Sequence, residues 1–266
     1  MEATESNQVP PPINQLQNPG TITFTIPSNF QVTIRETNGE DETNLSRIKN
    51  AKTGEAMAIF LAGIIIATTI PGQEKPTATQ VQAWKCNDKY YCLLKSRMFS
   101  LGDILKFKWV WPEDPNPVTY TEDLKQFDRD LSKDSGDDSN DRTKIRMYPL
   151  REAIGREIQL SSGKKIRYEF LTGVGEKQSL DIPENETNNN TELIIRNLQW
   201  YNDQGIWINI ENFGIFSSRE MVAIRKDIID HDIRFEMQIS IENPYTGKMN
   251  YIPAIIINDF FYPAEI

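Results

Sequence analysis

Apolar and polar residues alternate through residues 21–35, TITFTIPSNFQVTIR, and predict two short strands around Pro27. The polar run at 40–52 predicts a helix or loop leading into AMAIFLAGIIIATTI at 56–70, which no charge interrupts. The composition of that segment changes halfway. Ala56 to Ala62 is rich in helix formers, Gly63 breaks the pattern, and the β-branched Ile64, Ile65, Ile66, Thr68, Thr69 and Ile70 favour extended backbone. The expectation is a short buried helix, a glycine hinge and a central strand. At about 15 residues the segment falls short of the roughly 20 that a helix needs to cross a bilayer, and it lacks the basic and aromatic flanks of a span. Membrane insertion is not expected. Residues 71–79 read as a loop.

Further along, the pattern repeats. Residues 89–115, KYYCLLKSRMFSLGDILKFKWVWPEDP, and 219–245, REMVAIRKDIIDHDIRFEMQISIENPY, each open with an amphipathic helix. In the first, Tyr91, Leu94, Met98 and Leu101 share a face at helical spacing; in the second, Met221, Ile224 and Ile228 do. Ser217-Ser218-Arg219-Glu220 has the form of a capping box at the start of the second helix. Each copy reaches an Asp-Ile pair, Asp103-Ile104 or Asp232-Ile233. Each continues as an alternating strand, KFKWVW or RFEMQISI, and ends at a proline turn, Trp111-Pro112 or Asn243-Pro244. Upstream, TIRETNGEDETNL at 33–45 echoes YEFLTGVGEKQSL at 168–180. The expected fold is α+β, built from two related β-rich halves that arose by internal duplication. Each half runs strand, polar turn, short helix or loop, strand, helix and a final strand pair.

Polar segments set the boundaries. Residues 128–143, DRDLSKDSGDDSNDRT, carry almost no apolar side chains and cannot bury enough surface to offset their ordering entropy. They read as an acidic linker. The first twenty residues, with Pro10, Pro11 and Pro12 in a row, read as a flexible arm, and PENETNNNTE at 183–192 as a polar loop. The expected organisation is an arm at 1–20, a first half at 21–127, the linker at 128–143 and a second half at 144–266.

Charge and chemistry narrow the function. Lys and Arg number 29 against 38 Asp and Glu, a net charge of −9 that favours solubility and disfavours non-specific nucleic-acid binding. Cys86 and Cys92 make no disulfide framework; two reduced thiols in a cytosolic protein are expected, with a short-range disulfide as the alternative. The N-terminal stretch has neither the basic nor the apolar region of a secretory signal. His231, between Asp230 and Asp232 at a helix end, is read as a partner of the last helical carbonyls, with a general base as the alternative. No nucleophile elbow, P-loop or dinucleotide fingerprint occurs, and Gly173-Val174-Gly175 is too short to cradle phosphate. Phe107, Trp109, Trp111 and Tyr120 suit stacking on single-stranded nucleic acid, yet without interleaved arginines core packing is favoured. No catalytic, cofactor-binding or metal-binding residue is assigned, and no enzyme is expected.

The stretch LSSGKKIRYEFLTGVGEK at 160–177 resembles a phrase in the baseplate-hub and tail-assembly proteins of T4-like contractile-tailed bacteriophages. The helix IRKDIIDHD, the ending Phe260-Phe261-Tyr262-Pro263, and in the first half ETNGEDETNL, KSRMFSLGD and FKWVW hold matching places. Together they cover most of 30–117 and 145–263, and their order carries the resemblance. The family pattern includes a Cys-Pro-x-Cys-Gly knuckle. Here that position reads Asn243-Pro244-Tyr245-Thr246-Gly247, where Asn243 and Thr246 supply no thiolates, so no zinc is expected.

The resemblance implies a structural or assembly component of a contractile phage tail, or of a phage-derived contractile injection system. Its partners would be other tail and baseplate proteins in a hetero-oligomeric assembly. Its location would be the cytoplasm during assembly and the virion or injection-particle tail. A nucleic-acid-binding or chaperone-like module is the alternative. The last stretch, IPAIIINDFFYPAEI, concentrates apolar surface; either it closes its own core, or Ile255, Ile257, Phe260, Phe261 and Tyr262 dock on a neighbouring subunit.

Overall fold

The computed structural model describes residues 20–41, 55–128, 155–183, 190–210, 212–232, 234–256 and 260–261. The fold is mixed α and β with several small sheets. Strands β1 (Thr21–Thr25) and β2 (Gln31–Arg35) form an antiparallel hairpin that pairs Thr21 with Arg35 and Thr25 with Gln31. Helix α1 (Glu55–Ile64) then leads into β3 (Ile65–Thr68), antiparallel to β2. The apolar run at 56–70 is thus helix followed by strand, as its composition predicts, with two differences. The helix continues through Gly63, whose carbonyl accepts a hydrogen bond from the Arg35 guanidinium at 3.1 Å. The strand has four residues and lies at the edge of the β1-β2-β3 sheet, not its centre, which leaves Ile66 exposed.

Helix α2 (Ala78–Gln82) begins in a Thr77 capping box and passes the chain to α3 (Cys86–Leu101). A long hairpin of β4 (Ile104–Trp111) and β5 (Asp114–Asp123) follows and ends in a 3₁₀ turn, Leu124–Asp128. The second part of the chain opens with the hairpin of β6 (Arg156–Gln159) and β7 (Lys165–Tyr168), then α4 (Gly173–Asp181) and α5 (Thr191–Ile194). Next, β8 (Gln199–Tyr201) pairs with β7, and β9 (Trp207–Asn209) closes a four-stranded sheet. Helix α6 (Ser218–His231) leads to a last hairpin of β10 (Gln238–Glu242) and β11 (Met249–Pro253), and a 3₁₀ turn, Ala254–Ile256.

Both parts run hairpin, helix, a strand antiparallel to the second hairpin strand, long helix, hairpin and 3₁₀ turn. Their first hairpins turn alike. Ile26 N–H donates to Phe30 O at 2.9 Å and Asn29 N–H to Ile26 O at 2.8 Å; Leu160 N–H donates to Lys164 O at 2.8 Å and Gly163 N–H to Leu160 O at 2.9 Å. Asn29 and Gly163 hold the same left-handed place, with φ of 63° and 89°, which a glycine or an asparagine tolerates best.

The long helices differ in setting. On α6, Met221, Ile224 and Ile228 are buried and the opposite side is open, as the spacing predicts. Helix α3 is not amphipathic in that sense. Its first three turns are buried nearly all round, including Asn87, Asp88, Lys89, Ser96 and Arg97. The strand expected over 234–241 is shorter than its alternation suggests. Only β10 is extended ladder, because Met237 takes a φ of 42° that no regular strand admits.

Two main apolar cores result. The larger packs the β1-β2-β3 sheet, α1, α3 and the β4–β5 hairpin together with Phe235, Met237, Ile239, Ile241, Ile252 and Phe260 from the chain's last part. The other lies between the four-stranded sheet and α6. The C-terminal hairpin therefore sits on the first core and not on that of its own sheet and helix. The 1–20 arm, most of the 128–143 linker and most of the 183–192 loop lie outside the described residues.

Candidate docking surface

The start of α3 fixes how the C-terminal hairpin is presented. Lys85 and Thr172 form an isolated antiparallel bridge, Cys86 N–H donates to Leu171 O at 2.8 Å, and Gly173 N–H donates to Trp84 O at 3.0 Å. The Asn87 side-chain oxygen accepts from Phe235 N–H at 2.9 Å. Asp88 accepts from Ser28 N–H at 2.9 Å and Ser28 Oγ at 2.6 Å, in the turn of the first hairpin. One helical turn thus ties together the first hairpin, the entry to α4 and the entry to β10. Burial drives the Asp88 carboxyl up to about 6; its bonds from Ser28 and the charge of Lys85 oppose that rise.

The same place in the second part is held by Glu220, third residue of α6. Its carboxylate accepts from Ser162 Oγ in the β6–β7 turn, from Ser217 N–H at 2.7 Å and from Ser217 Oγ at 3.0 Å, and Lys164 Nζ lies 3.4 Å away. These bonds, that of Ser162 first, hold its carboxyl down at about 2. The capping box read from Ser217 and Glu220 is therefore present, with a second use that local sequence did not indicate.

Beyond α3, the hairpin is clamped by polar contacts to β4–β5. Trp111 Nε1–H donates to Tyr120 Oη at 2.9 Å, Tyr120 Oη–H to Glu242 O at 3.3 Å, and Tyr245 Oη–H to Asp114 at 2.7 Å. The turn at 243–247 forms without a knuckle: Asn243 Oδ1 accepts from Tyr245 and Thr246 N–H, and Gly247 closes it at a φ of 68°. The inner face buries Ile239, Ile241 and Ile252. The outer face presents Ser240, Glu242, Met249 and Tyr251, with Met249 48% and Tyr251 64% exposed. Tyr245 is 48% exposed at the tip.

Of the five predicted interface residues, Phe260 is wholly inside the first core and offers no surface. Phe261 is half-buried, edge-on to Phe60 at 5.5 Å and to Phe260 at 4.7 Å. Ile255 is half-buried and lines a cavity of about 240 Å³ with Tyr90, Glu176, Arg234 and Met237. Ile257 and Tyr262 lie outside the described residues. The exposed side chains of β11 escaped the sequence reading; the alternation of Tyr251 with buried Ile252 was the available signal.

The other candidates settle in structural places. Phe107 and Trp111 are buried and Trp109 and Tyr120 half-buried against the first core, so the aromatic strand is core packing. His231 Nδ1 lies 2.8 Å from Asp227 O, one helical turn back. Cys86 and Cys92 are free, buried thiols, and burial pushes both above the usual thiol range. Gly173 and Gly175 serve close packing: a Cβ on Gly175 would lie 2.6 Å from Ile195 O. Among the described residues no group of three or more His, Cys, Asp or Glu is placed to hold a metal ion, and no helix is long and apolar enough to cross a membrane.

A family model described as "T4 bacteriophage base plate protein" matches residues 20–262 of the chain. No curated protein matches, and no solved structure matches.

Proposed function

The chain belongs to the T4 bacteriophage base plate protein family, and on that footing we propose that it is a non-catalytic component or assembly factor of a contractile tail's baseplate. It acts by docking the outer face of its C-terminal hairpin on another baseplate protein. The exposure of Met249 and Tyr251 on a hairpin held rigid from its inner side carries this reading. A preordered aromatic and thioether surface loses little conformational entropy on association, and tyrosine and methionine are enriched at interface centres. The half-buried Ile255 and Phe261 are further candidate contacts. The protein works in a hetero-oligomeric assembly, in the cytoplasm while the tail is built and then in the tail itself.

The two parts of the chain descend from one duplicated unit. The shared element order, the matching hairpin turns and the paired serine–carboxylate contacts, Ser28 with Asp88 and Ser162 with Glu220, support that origin. The acidic stretch at 128–143 joins them.

Sedimentation of the purified chain with the individually purified proteins of the same baseplate tests the docking. Co-migration with one of them, lost in Met249→Glu/Tyr251→Glu, is expected, with single-stranded DNA left unbound. Retention of DNA in place of a baseplate protein would sink the reading.

A further inference from the structure

We propose a second docking face, the outer stripe of α6 formed by Arg219, Val222, Ala223, Lys226 and Ile229, for an acidic segment of a partner protein that carries an aromatic or aliphatic anchor. This rests on the docking function proposed above. All five residues are exposed, Val222 at 62% and Ile229 at 54%. They recur at three- and four-residue steps and so line one side of the helix.

The first part of the chain shows what such a face receives. Asp88 and Glu220 hold the same place, third in their helices and bonded to the hairpin serine, and they align α3 with α6. The stripe then corresponds to Asn87, Tyr90, Tyr91, Leu94 and Arg97, of which all but the half-buried Tyr90 are buried. Their cover includes Phe235, which donates its N–H to Asn87 and sets its ring 6.4 Å from that of Tyr91. It also includes Asp128, in the 3₁₀ turn after β5, whose carboxylate accepts from Tyr91 Oη at 2.6 Å. An aromatic ring and a carboxylate thus cover the α3 face.

On α6 the counterpart of the Asp128 turn lies elsewhere. The turn after β11 packs into the first core, with Ala254 fully buried there and its N–H donating to Met237 O at 2.9 Å. Arg219 and Lys226 form no ion pair among the described residues. Two cations flanking aliphatic side chains, on a chain of net charge −9, complement an acidic and apolar partner. The helix is rigidly set by its capping box and by the bidentate pair of Arg156 with Asp227 at 2.7 and 3.1 Å.

The test combines Val222→Glu/Ile229→Glu, Arg219→Glu/Lys226→Glu and a photo-cross-linking residue at position 222, with position 119 as the exposed control. Each protein is mixed with the purified proteins of the same baseplate. Both double variants should keep the wild-type circular dichroism and melting temperature. Binding should weaken at least about tenfold in each, with a shallower salt dependence in the charge variant. Position 222 should cross-link to a baseplate protein and position 119 should not. Wild-type binding by both α6 variants, alongside loss in Met249→Glu/Tyr251→Glu, overturns the α6 face and leaves the hairpin surface standing. Cross-linking of position 222 to residues 129–154 of its own chain also overturns it. No binding by the wild-type chain overturns both.

Discussion

Asp88→Asn should abolish one component of the pH dependence of stability. The Asp88 carboxyl is fully buried, and burial pushes it up to about 6 from an ordinary 3.8. The folded protein therefore takes up this proton at higher pH than the unfolded chain. Between about pH 6 and pH 4 the native state holds the proton and the unfolded state does not, so stability from this group rises as pH falls. At about 1.4 kcal/mol per pH unit, the gap between about 6 and 3.8 amounts to roughly 3 kcal/mol. In Asp88→Asn the amide oxygen still accepts from Ser28 N–H, so the junction persists without an ionisable group. Urea unfolding of both proteins from pH 7 to pH 4 isolates the effect, because the other titrations cancel in the difference. Wild-type stability relative to the variant should rise by up to about 3 kcal/mol on acidification. A flat difference, or a relative loss by the wild type, would refute the assignment of the shift to burial at this site.

Three further outcomes follow from named contacts. Glu220 titrates in the opposite sense: its carboxyl is held at about 2, so its contribution is present above 4.5 and lost as pH falls towards 2. Ser162→Ala should raise the Glu220 pKa, read by carboxyl NMR, and shift acid unfolding to higher pH. Gly175→Ala should destabilise by about 1–3 kcal/mol in urea titration, despite the usual helical advantage of alanine, because its Cβ would meet Ile195 O at 2.6 Å. Phe260→Ala should lose about 3–5 kcal/mol of stability, whereas Tyr251→Ala, at an exposed position, should change the unfolding free energy by less than about 0.5 kcal/mol and weaken docking.

What the sequence made legible is local. Ser217 and Glu220 announce the start of α6 because a capping box needs only four consecutive residues, and Met221, Ile224 and Ile228 mark its buried side by their spacing. The apolar run at 56–70 splits into helix and strand because β-branching changes within it. What stayed hidden depends on distant partners. Asn87, Asp88 and Lys89 look like a solvated helix start, yet Asp88 meets Ser28 and Asn87 meets Phe235, 148 residues away. Nothing in the alternation of RFEMQISI says that its hairpin joins the first core, or that Met237 breaks the strand. The aromatic end stayed ambiguous for the same reason. Hydrophobicity marks Phe260 and Tyr251 alike, and only the packing makes one core and the other surface.

Oxidative footprinting of the free chain and of the chain within assembling baseplates reads the docking face most directly, since Met249 and Tyr251 are themselves the reactive probes. Both should label readily in the free protein and become protected in the assembly, while buried Met237 stays unreactive in each. Equal labelling of Met249 and Tyr251 in the two states would contradict docking through the C-terminal hairpin.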